Sequence, residues 1–367
     1  MPRYGLKRLF LLLLLPASLV TVIFASRYPD LVEKYFSTGF YAILCPAFTS
    51  LSGLFSFSLA ELLLIVGIFV FIIVTVRTVY HAVKDKDRRG YTVYTYVANV
   101  AVFASILYAV FVFACGLNYY RAPFAQTAGL TVRESSAEEL KALCSELVND
   151  ANVQSQFVAS NEYGVTQLPT TDLQTAENAV KAMKGITKEY PFMRGLYSAP
   201  KPVFFSRLMS LTNVTGIYSP FTFEANVNVD IPDYSIPATM CHELAHLRGF
   251  MREDEANFIA YIACRDSSNS YFVYSGTLSA LSFALDSLSK TDPASCDELY
   301  NQLAEGIKRD YAAYNSYWHK YEGAVSQVST SINNTYLKAN NQSDGVHSYG
   351  RMVDLLLADY RQRHNLT

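Results

Sequence analysis

Long apolar runs dominate the first third of the chain. They cover, approximately, residues 9–25, 59–76 and 94–116. A helix needs about 20 apolar residues to cross the hydrocarbon core of a bilayer, so each run is long enough, the first only just. The stretch between the first two runs, about 36–57, is also apolar, but Pro46 and Gly53 interrupt it. Its apolar positions follow a helical stripe, which favours an interfacial helix. We therefore predict a membrane domain at 1–121.

Basic residues give the predicted orientation of this membrane domain. Arg3, Lys7 and Arg8 precede the first run, and four further Lys and Arg residues lie at 84–89, after the second. Basic segments stay cytoplasmic, so three crossings place residue 122 onward outside the cell. An alternative is that the first run is a signal peptide cleaved near residue 25, which would leave the later residues outside as well. We favour the anchor, because the small-residue cleavage pattern is poor.

After residue 121 the pattern changes to shorter amphipathic segments. Helical spacing of apolar residues predicts helices at 136–149, 172–188, 270–288, 297–322 and 351–363. Apolar and polar alternation predicts strands at 202–205 and 217–230, and 122–135 is interpreted as an extended linker. The predicted fold is therefore mainly α, with N-terminal transmembrane helices followed by an α+β exported domain at 122–367 that holds a small sheet.

Composition narrows the choice of partners. Of the 367 residues, 51% are hydrophobic, and the formal net charge is only −2. No basic stripe interrupts this balance, which argues against a nucleic-acid partner and leaves the lipid bilayer as the expected one. We therefore predict a multi-pass protein of the bacterial cytoplasmic membrane, whose oligomeric state the sequence leaves open.

The six cysteines divide between the two predicted domains. Cys45 and Cys115 lie in or beside the membrane segments, and the other four lie in the exported domain, at Cys144, Cys241, Cys264 and Cys296. Disulfides are allowed outside the cell. Cys241 and Cys264 can pair or serve as small core residues, and the disulfide pattern stays open.

Candidate chemistry is concentrated in the segment Cys241-His242-Glu243-Leu244-Ala245-His246. Two His four residues apart lie on one face of a helix, where their nitrogens can bind one Zn²⁺. Glu243 beside them can accept a proton from water at the metal. Pro237 suits the first turn of such a helix, and Gly249 suits a left-handed stop.

A catalytic zinc uses three protein ligands and keeps one open position. The next predicted helix, about 253–265, places Glu253 and Asn257 one turn apart on the same face. We predict Glu253 as the third ligand and Asn257 as a hydrogen-bond partner of a ligand. Asp254 and Glu255 point elsewhere and are interpreted as acids that complement the helix dipole.

The run Glu253-Asp254-Glu255-Ala256-Asn257 resembles the Glu-x-x-Ala-Asp/Asn element of gluzincin metallopeptidases. This element occurs in membrane CAAX-type proteases and in soluble regulator proteases. The resemblance implies that His242, His246 and Glu253 bind zinc and that Glu243 is the general base. One departure is the short spacer, Leu247 to Arg252, which requires a tight turn between the two helices.

A wider resemblance is to a bacterial integral-membrane family of unknown function. It is carried by the segments Leu117–Arg121, Glu224–Asn228 and His242–Cys264. This resemblance implies a membrane protein but supplies neither a substrate nor an activity.

Two further expectations concern a substrate. The strand predicted before the His helix has an edge to which an extended peptide could add as another strand. A gluzincin also needs a Tyr or His donor for the oxyanion, and His319, His347 and Tyr349 are the candidates outside the motif.

The expected function is a membrane-anchored zinc metallopeptidase that hydrolyses peptide bonds of a peptide or protein on the outer side of the membrane. The alternative is a metal-binding envelope scaffold without protease activity, for which a fourth protein ligand such as Cys241 would be evidence. An intramembrane protease is disfavoured, because the motif lies in polar sequence well after the last apolar run.

Overall fold

The computed structural model describes residues 7–342 and 350–366 and divides into two compact units. The first unit comprises Met1–Leu44, Leu59–Arg121 and Pro220–Thr222. The second comprises Cys45–Ser58, Ala122–Ser219 and Phe223–Thr367. Helices make up most of both units, and a single three-stranded sheet lies in the described part of the second. The mainly helical fold with a small sheet is thus confirmed.

Long apolar helices form the first unit. They are α1 (Leu14–Arg27, preceded by a 3₁₀ stretch at Arg8–Leu13), the start of α2 (Tyr41–Ser52), α3 (Leu59–Lys84) and α4 (Arg89–Ala114). Three helices of the described chain are long and apolar enough to cross a membrane: Arg8–Arg27, Leu59–Lys84 and Arg89–Ala114. They coincide with the three predicted runs, and they indicate that the protein is associated with a membrane.

The stretch predicted as an interfacial helix is helical, but it begins earlier and ends at Ser52 rather than at 57. Pro29–Leu31 starts it, a π-helical segment at Val32–Phe40 continues it, and α2 completes it. Gly53 follows directly, where an added Cβ would lie only 2.8 Å from the Thr49 carbonyl oxygen. The close approach at this glycine explains why the helix stops there.

Polar contacts close the first unit around the segment after α4. Arg121 forms a buried ion pair with Glu33, with an Nη2–Oε1 distance of 2.8 Å. Ser37 donates a hydrogen bond to Oδ1 of the buried Asn118 at 2.8 Å. Two residues of the segment Leu117–Arg121 therefore hold the π-helical stretch in place, which gives this polar motif a structural role.

The second unit contains the remaining elements. These are α5 (Phe124–Ala128), α6 (Ala137–Gln154), α7 (Asp172–Gly185), β1 (Lys201–Pro202), α8 (Ser206–Leu211), β2 (Gly216–Ser219), β3 (Glu224–Val227), α9 (Ile236–Leu247), α10 (Glu253–Arg265), α11 (Ser270–Thr291), α12 (Pro293–Asn301), α13 (Glu305–His319), α14 (Ala324–Ala339) and α15 (Gly350–Arg363). The predicted helices at 136–149, 172–188, 270–288 and 351–363 are confirmed as α6, α7, α11 and α15. Helix α9 packs against α10, α11 and β3 at the centre of the unit.

The predicted linker at 122–135 is wrong in its first part, which forms α5. Phe124 is fully buried there, and its ring lies 5.4–5.5 Å from four others. Those rings belong to Tyr190, Phe192, Phe250 and Phe258. Edge-to-face packing of this kind stabilises a core. A single anchoring residue leaves no periodic pattern, so the sequence did not predict the helix.

The predicted single strand at 217–230 is a hairpin of β2 and β3. Phe223, with φ of 53°, makes the turn, and β3 pairs antiparallel with β2 and parallel with β1. The polar side chains of β3 are buried: Asn226 accepts from Ser58 at 2.6 Å and donates to the Ile217 carbonyl at 3.2 Å. The alternation of apolar and polar residues was recognised, but the polar side chains form hydrogen bonds inside the protein. The strand predicted at 202–205 is shorter, ending at Pro202.

The predicted helix at 297–322 is also wrong as one element, because it is divided into α12 and α13. Asn152 of α6 holds the break: its Nδ2 donates to the Gln302 carbonyl at 2.9 Å, and its Oδ1 accepts from the Ala304 N–H at 2.7 Å. The side chain thus replaces the helical hydrogen bonds lost at the break. A partner 150 residues away along the chain gives no local signal.

Candidate metal centre

Helices α9 and α10 form a tight hairpin that carries the predicted site. Pro237 lies in the first turn of α9, where its missing N–H costs nothing, as predicted. Gly249 has φ of +83°, the left-handed conformation expected of a helix stop, and its N–H donates to the His246 carbonyl at 2.8 Å. Glu253 is the first residue of α10. The short spacer is therefore long enough to return the chain to the His residues.

The hairpin brings the three predicted ligands together. Nε2 of His242 lies 3.2 Å from Oε2 of Glu253, and Nε2 of His246 lies 3.7 Å from its Oε1. One ligand atom from each of the three residues lies within 4.8 Å of the other two. Tetrahedral ligands about 2 Å from a zinc ion lie roughly 3.3 Å apart, so the donor set fits a single ion of this size.

Hydrogen bonds to the far nitrogens orient both imidazoles. Nδ1 of His242 lies 2.8 Å from Oδ1 of Asn257, and Nδ1 of His246 lies 2.7 Å from the Phe250 carbonyl oxygen. Both partners are acceptors, so Nδ1 donates to them and Nε2 faces the site. Asn257 was predicted for this role. Phe250 was not, because a backbone carbonyl leaves no trace in the sequence.

A second contact that the sequence did not indicate holds Glu253. Its backbone N–H donates to Oε1 of Gln342 at 3.2 Å, and the Gln342 side chain is fully buried. The contact satisfies one of the N–H groups that the first turn of a helix leaves unpaired. It fixes the start of α10, and with it the position of the Glu253 carboxylate.

Glu243 lies beside the three ligands and is 3% exposed. The Tyr218 backbone N–H donates to its carboxylate, whereas Oε2 has no hydrogen-bond partner among the described residues. At Gly216 an added Cβ would lie 2.4 Å from Oε1 of Glu243, so only glycine allows strand β2 to come this close. One edge of the small sheet therefore lies directly against the predicted general base.

The four ionisable groups shift each other's pKa values. Burial raises the pKa of Glu243 to about 8 and lowers that of His246 to about 4. Burial also opposes the charge on His242, but the hydrogen bond and charge of Glu253 outweigh it and raise the pKa of His242 to about 9. The same contact holds the pKa of Glu253 below its usual range despite burial. His242 and Glu253 form an ion pair whose proton a metal must displace.

A cavity of about 550 Å³ opens beside the ligands. His242, Glu253 and Asn257 form part of its wall, and aromatic residues of α13 form another part. A space of this size is in the usual range for a small-molecule or peptide side-chain site. The ligand cluster is thus accessible from a preformed space.

Asp254 and Glu255 are directed away from the ligands, as predicted, but they are buried rather than solvated. Asp254 pairs with Arg351 at 3.1 Å. Oε1 of Glu255 accepts from Arg252 at 3.0 Å and from the Phe124 N–H at 2.8 Å. These acids join α10 to its neighbours, a role beyond the predicted interaction with the helix dipole.

Of the predicted oxyanion donors, His319 lies away from the site. The His319 side chain is 80% exposed and lies 3.0 Å from Glu322, away from the cavity wall. His347 and Tyr349 lie outside the described residues. The six cysteines are free thiols, and the Sγ atoms of Cys241 and Cys264 lie 3.8 Å apart between α9 and α10.

Comparison with known proteins gives a family but no activity. No curated protein and no solved structure matches the chain. A family described as "Protein of unknown function (DUF3810)" matches residues 36–357, which include parts of both units and every ligand of the candidate metal centre. The match covers most of the sequence, and the chain therefore belongs to this family of unknown function, DUF3810.

Proposed function

We propose that this protein is a zinc-dependent metallopeptidase of the gluzincin type, anchored in the bacterial cytoplasmic membrane. The observation that carries the proposal is the convergence of His242, His246 and Glu253 on one point, with the buried carboxylate of Glu243 beside them. Nε2 of both His residues faces this point, and within the described chain no fourth His, Cys, Asp or Glu joins the cluster. Three ligands and an open position are typical of a catalytic zinc site.

The chain's own residues supply the acid–base chemistry. A zinc ion held there would polarise a peptide carbonyl and make water a stronger acid near neutral pH. Oε2 of Glu243 lacks a partner and is positioned to accept that proton and return it to the leaving nitrogen. A pKa raised by burial to about 8 suits a group that must both take and give a proton near neutrality.

Strand β2 supports a peptide as the substrate. It lies at one edge of the sheet, and Gly216 brings this edge against Glu243. Thr215 accepts from the Asn228 N–H, so the backbone of the next residue, Gly216, faces away from β3. An extended peptide could pair with this edge and present its carbonyl to Glu243. Basic residues before α1 and after α3 favour a site on the outer side of the membrane.

The two rival functions have less support. A structural zinc site is usually closed by four protein ligands, whereas the thiol of Cys241 lies against Cys264 rather than in the described cluster. An intramembrane protease would place its ligands on membrane-spanning helices. Helices α9 and α10 are not among the three described helices that are apolar enough to cross.

Metal analysis and peptide cleavage on the full-length protein test the proposal. The wild type should bind one zinc per chain and cleave a mixed peptide library. Glu243→Gln should retain zinc and lose cleavage by about 10²–10⁴-fold, the usual contribution of a general base. Glu177→Gln, an exposed change on α7, is the matched control and should behave as wild type. Unchanged cleavage by Glu243→Gln would falsify the mechanism, and zinc binding without cleavage by the wild type would favour the scaffold.

A further inference from the structure

The cavity beside the metal centre has two unlike walls. One wall is aromatic and is formed by Tyr234, Tyr311, Tyr314 and Trp318. The ring of Tyr234 lies 6.4 Å from that of Tyr311 and 6.0 Å from that of Tyr314, which in turn lies 6.0 Å from Trp318. These distances are within the range of favourable aromatic contacts, so the four rings form one continuous surface.

Hydrogen bonds fix this aromatic wall in place. The Tyr311 hydroxyl donates to the Leu278 carbonyl at 2.9 Å. Asp310, the preceding residue and fully buried, accepts from the Tyr274 hydroxyl at 2.6 Å. Both contacts join α13 to α11, the helix that supplies part of the opposite wall. The cavity is therefore a preformed space rather than a loose gap between helices.

The opposite wall consists mainly of small side chains. Ala238 of α9 and Ala260 of α10 line it, together with Ser275, Ser279 and Ser282 of α11. Two larger apolar residues of α11, Leu278 and Phe283, also belong to the lining. Residues 275, 279 and 282 follow helical spacing, so they form one face of α11. Short side chains along this face leave room between α11 and the rings of α13. The space can accept a flat, bulky group inserted between them.

The lining carries no fixed charge apart from the metal ligands. Among the described residues of the wall, the ionisable side chains are His242, Glu253 and the tyrosines. The first two pair with each other, with Nε2 of His242 3.2 Å from Oε2 of Glu253. A lysine, arginine or acidic side chain in the cavity would therefore lose its hydration without gaining a free partner, which is costly. An aromatic ring would gain favourable contact with the aromatic wall in addition to its burial.

We propose that this cavity binds an uncharged aromatic side chain of the peptide substrate, next to the bond that is cut. The description of the occupant as substrate rests on the proposed peptidase function. The binding itself depends only on the shape and polarity of the walls. It thus gives the site a substrate class: peptides with Phe, Tyr or Trp adjacent to the scissile bond.

The chain contains its own reporter for this binding, because Trp318 in the aromatic wall is the only Trp of the sequence. Metal-free full-length protein is titrated with N-acetyl-L-phenylalaninamide and N-acetyl-L-lysinamide while Trp318 fluorescence is recorded. We expect a saturable change with the phenylalanine compound and binding of the lysine compound weaker by about tenfold or more. Equal responses, or no saturable response to the phenylalanine compound, would overturn the proposal.

Substitutions on α11 give a second readout. Ser279→Phe and Ser282→Phe place a ring in the cavity and should abolish the Trp318 response, whereas Ser289→Phe, exposed on the same helix, should leave it intact. Ser282 is exposed, so its variant carries the test if Ser279→Phe does not fold. A response that survives Ser282→Phe contradicts the proposal.

Peptide-library cleavage separates this proposal from the peptidase function. Cleavage next to aromatic residues that is lost in Ser282→Phe supports both. Cleavage without an aromatic preference overturns the cavity assignment and leaves the peptidase intact. Tighter binding of the phenylalanine compound than of the lysine compound, without cleavage of any peptide, supports the cavity assignment and contradicts the peptidase function.

Discussion

Two buried carboxylates in the second unit, Glu243 and Asp310, have opposite surroundings. Asp310 is fully buried and accepts three hydrogen bonds: from the Thr166 N–H at 2.7 Å, the Thr166 hydroxyl at 2.6 Å and the Tyr274 hydroxyl at 2.6 Å. Glu243 is almost as buried, yet its Oε2 has no partner among the described residues. Both oxygens of Asp310 therefore accept hydrogen bonds, whereas one oxygen of Glu243 accepts none from the described residues.

The difference separates a structural acid from the proposed general base. Burying a carboxylate is unfavourable unless hydrogen bonds or charges compensate it. Asp310 is compensated, and it joins α13 to α11 and to the segment around Thr166. Glu243 is compensated only in part, and burial raises its pKa to about 8. Incomplete compensation is the expected state of a group that completes its contacts only when metal and substrate arrive.

The largest predicted effect on stability is at Asp310. Asp310→Asn keeps the shape but replaces one acceptor oxygen with an NH₂ group that faces at least one of the three donors, and we expect a loss of about 2–4 kcal/mol in the free energy of unfolding. Thermal unfolding of the detergent-solubilised protein should show a midpoint lower by several degrees. An unchanged midpoint would mean that the three hydrogen bonds do not compensate the buried charge.

Glu243→Gln is the matched comparison, an equally conservative change at the other buried carboxylate. Because it removes an incompletely compensated charge, we expect the midpoint to stay the same or rise. A loss as large as that of Asp310→Asn would contradict the distinction between the two acids.

A smaller effect is expected at the contact that orients His242. Asn257→Leu removes the acceptor for Nδ1 of His242, so the ring loses its fixed orientation. We expect zinc affinity to fall about 10–100-fold, as for other partners of metal ligands. Competition with a chromogenic chelator measures it. Asn257→Asp retains an acceptor oxygen at this place and should bind zinc at least as tightly as the wild type. An equal loss of zinc affinity in both variants would exclude the orienting role of Asn257.

The smallest effect on stability is expected at Glu139, a carboxylate at the start of α6 that is paired with arginine side chains. A hydrogen bond from Arg361, with others from Ser136 and Arg133, lowers its pKa to about 2 despite partial burial. A lowered pKa stabilises the fold at pH values above about 4.5, and this stabilisation is lost as the pH falls toward 2. Glu139→Gln should therefore cost about 1 kcal/mol at pH 7 and less at pH 3. A difference in unfolding midpoint that does not shrink with pH would contradict this reasoning.

Local sequence patterns were sufficient for the parts of the molecule that depend on local contacts. The apolar runs predicted the long helices, and Pro237 and Gly249 marked the first turn and the stop of α9. The first residue of α10 was predicted as well, because its position follows from helical spacing. The predicted start of the helix at 136–149 is likewise local, because Ser136 caps α6 in a capping box with Glu139.

Contacts between distant residues could not be predicted. Asn152 breaks the helix predicted at 297–322, and Gln342 holds the N–H of Glu253 from 89 residues away. The burial of amides such as Asn226 could not be predicted either, because the sequence does not show whether water or another protein group forms the hydrogen bonds of a polar side chain. The cavity also depends on such contacts, because α11 and α13 form its walls only after folding.

The left-handed turn at Gly249 has a consequence for how the site assembles. His242, His246 and Glu253 lie within twelve consecutive residues, because the turn reverses the chain in so short a space. Closing a loop of this length costs little conformational entropy, and contacts of low sequence separation form early in folding. The three residues can therefore meet before the sheet and the cavity walls are complete.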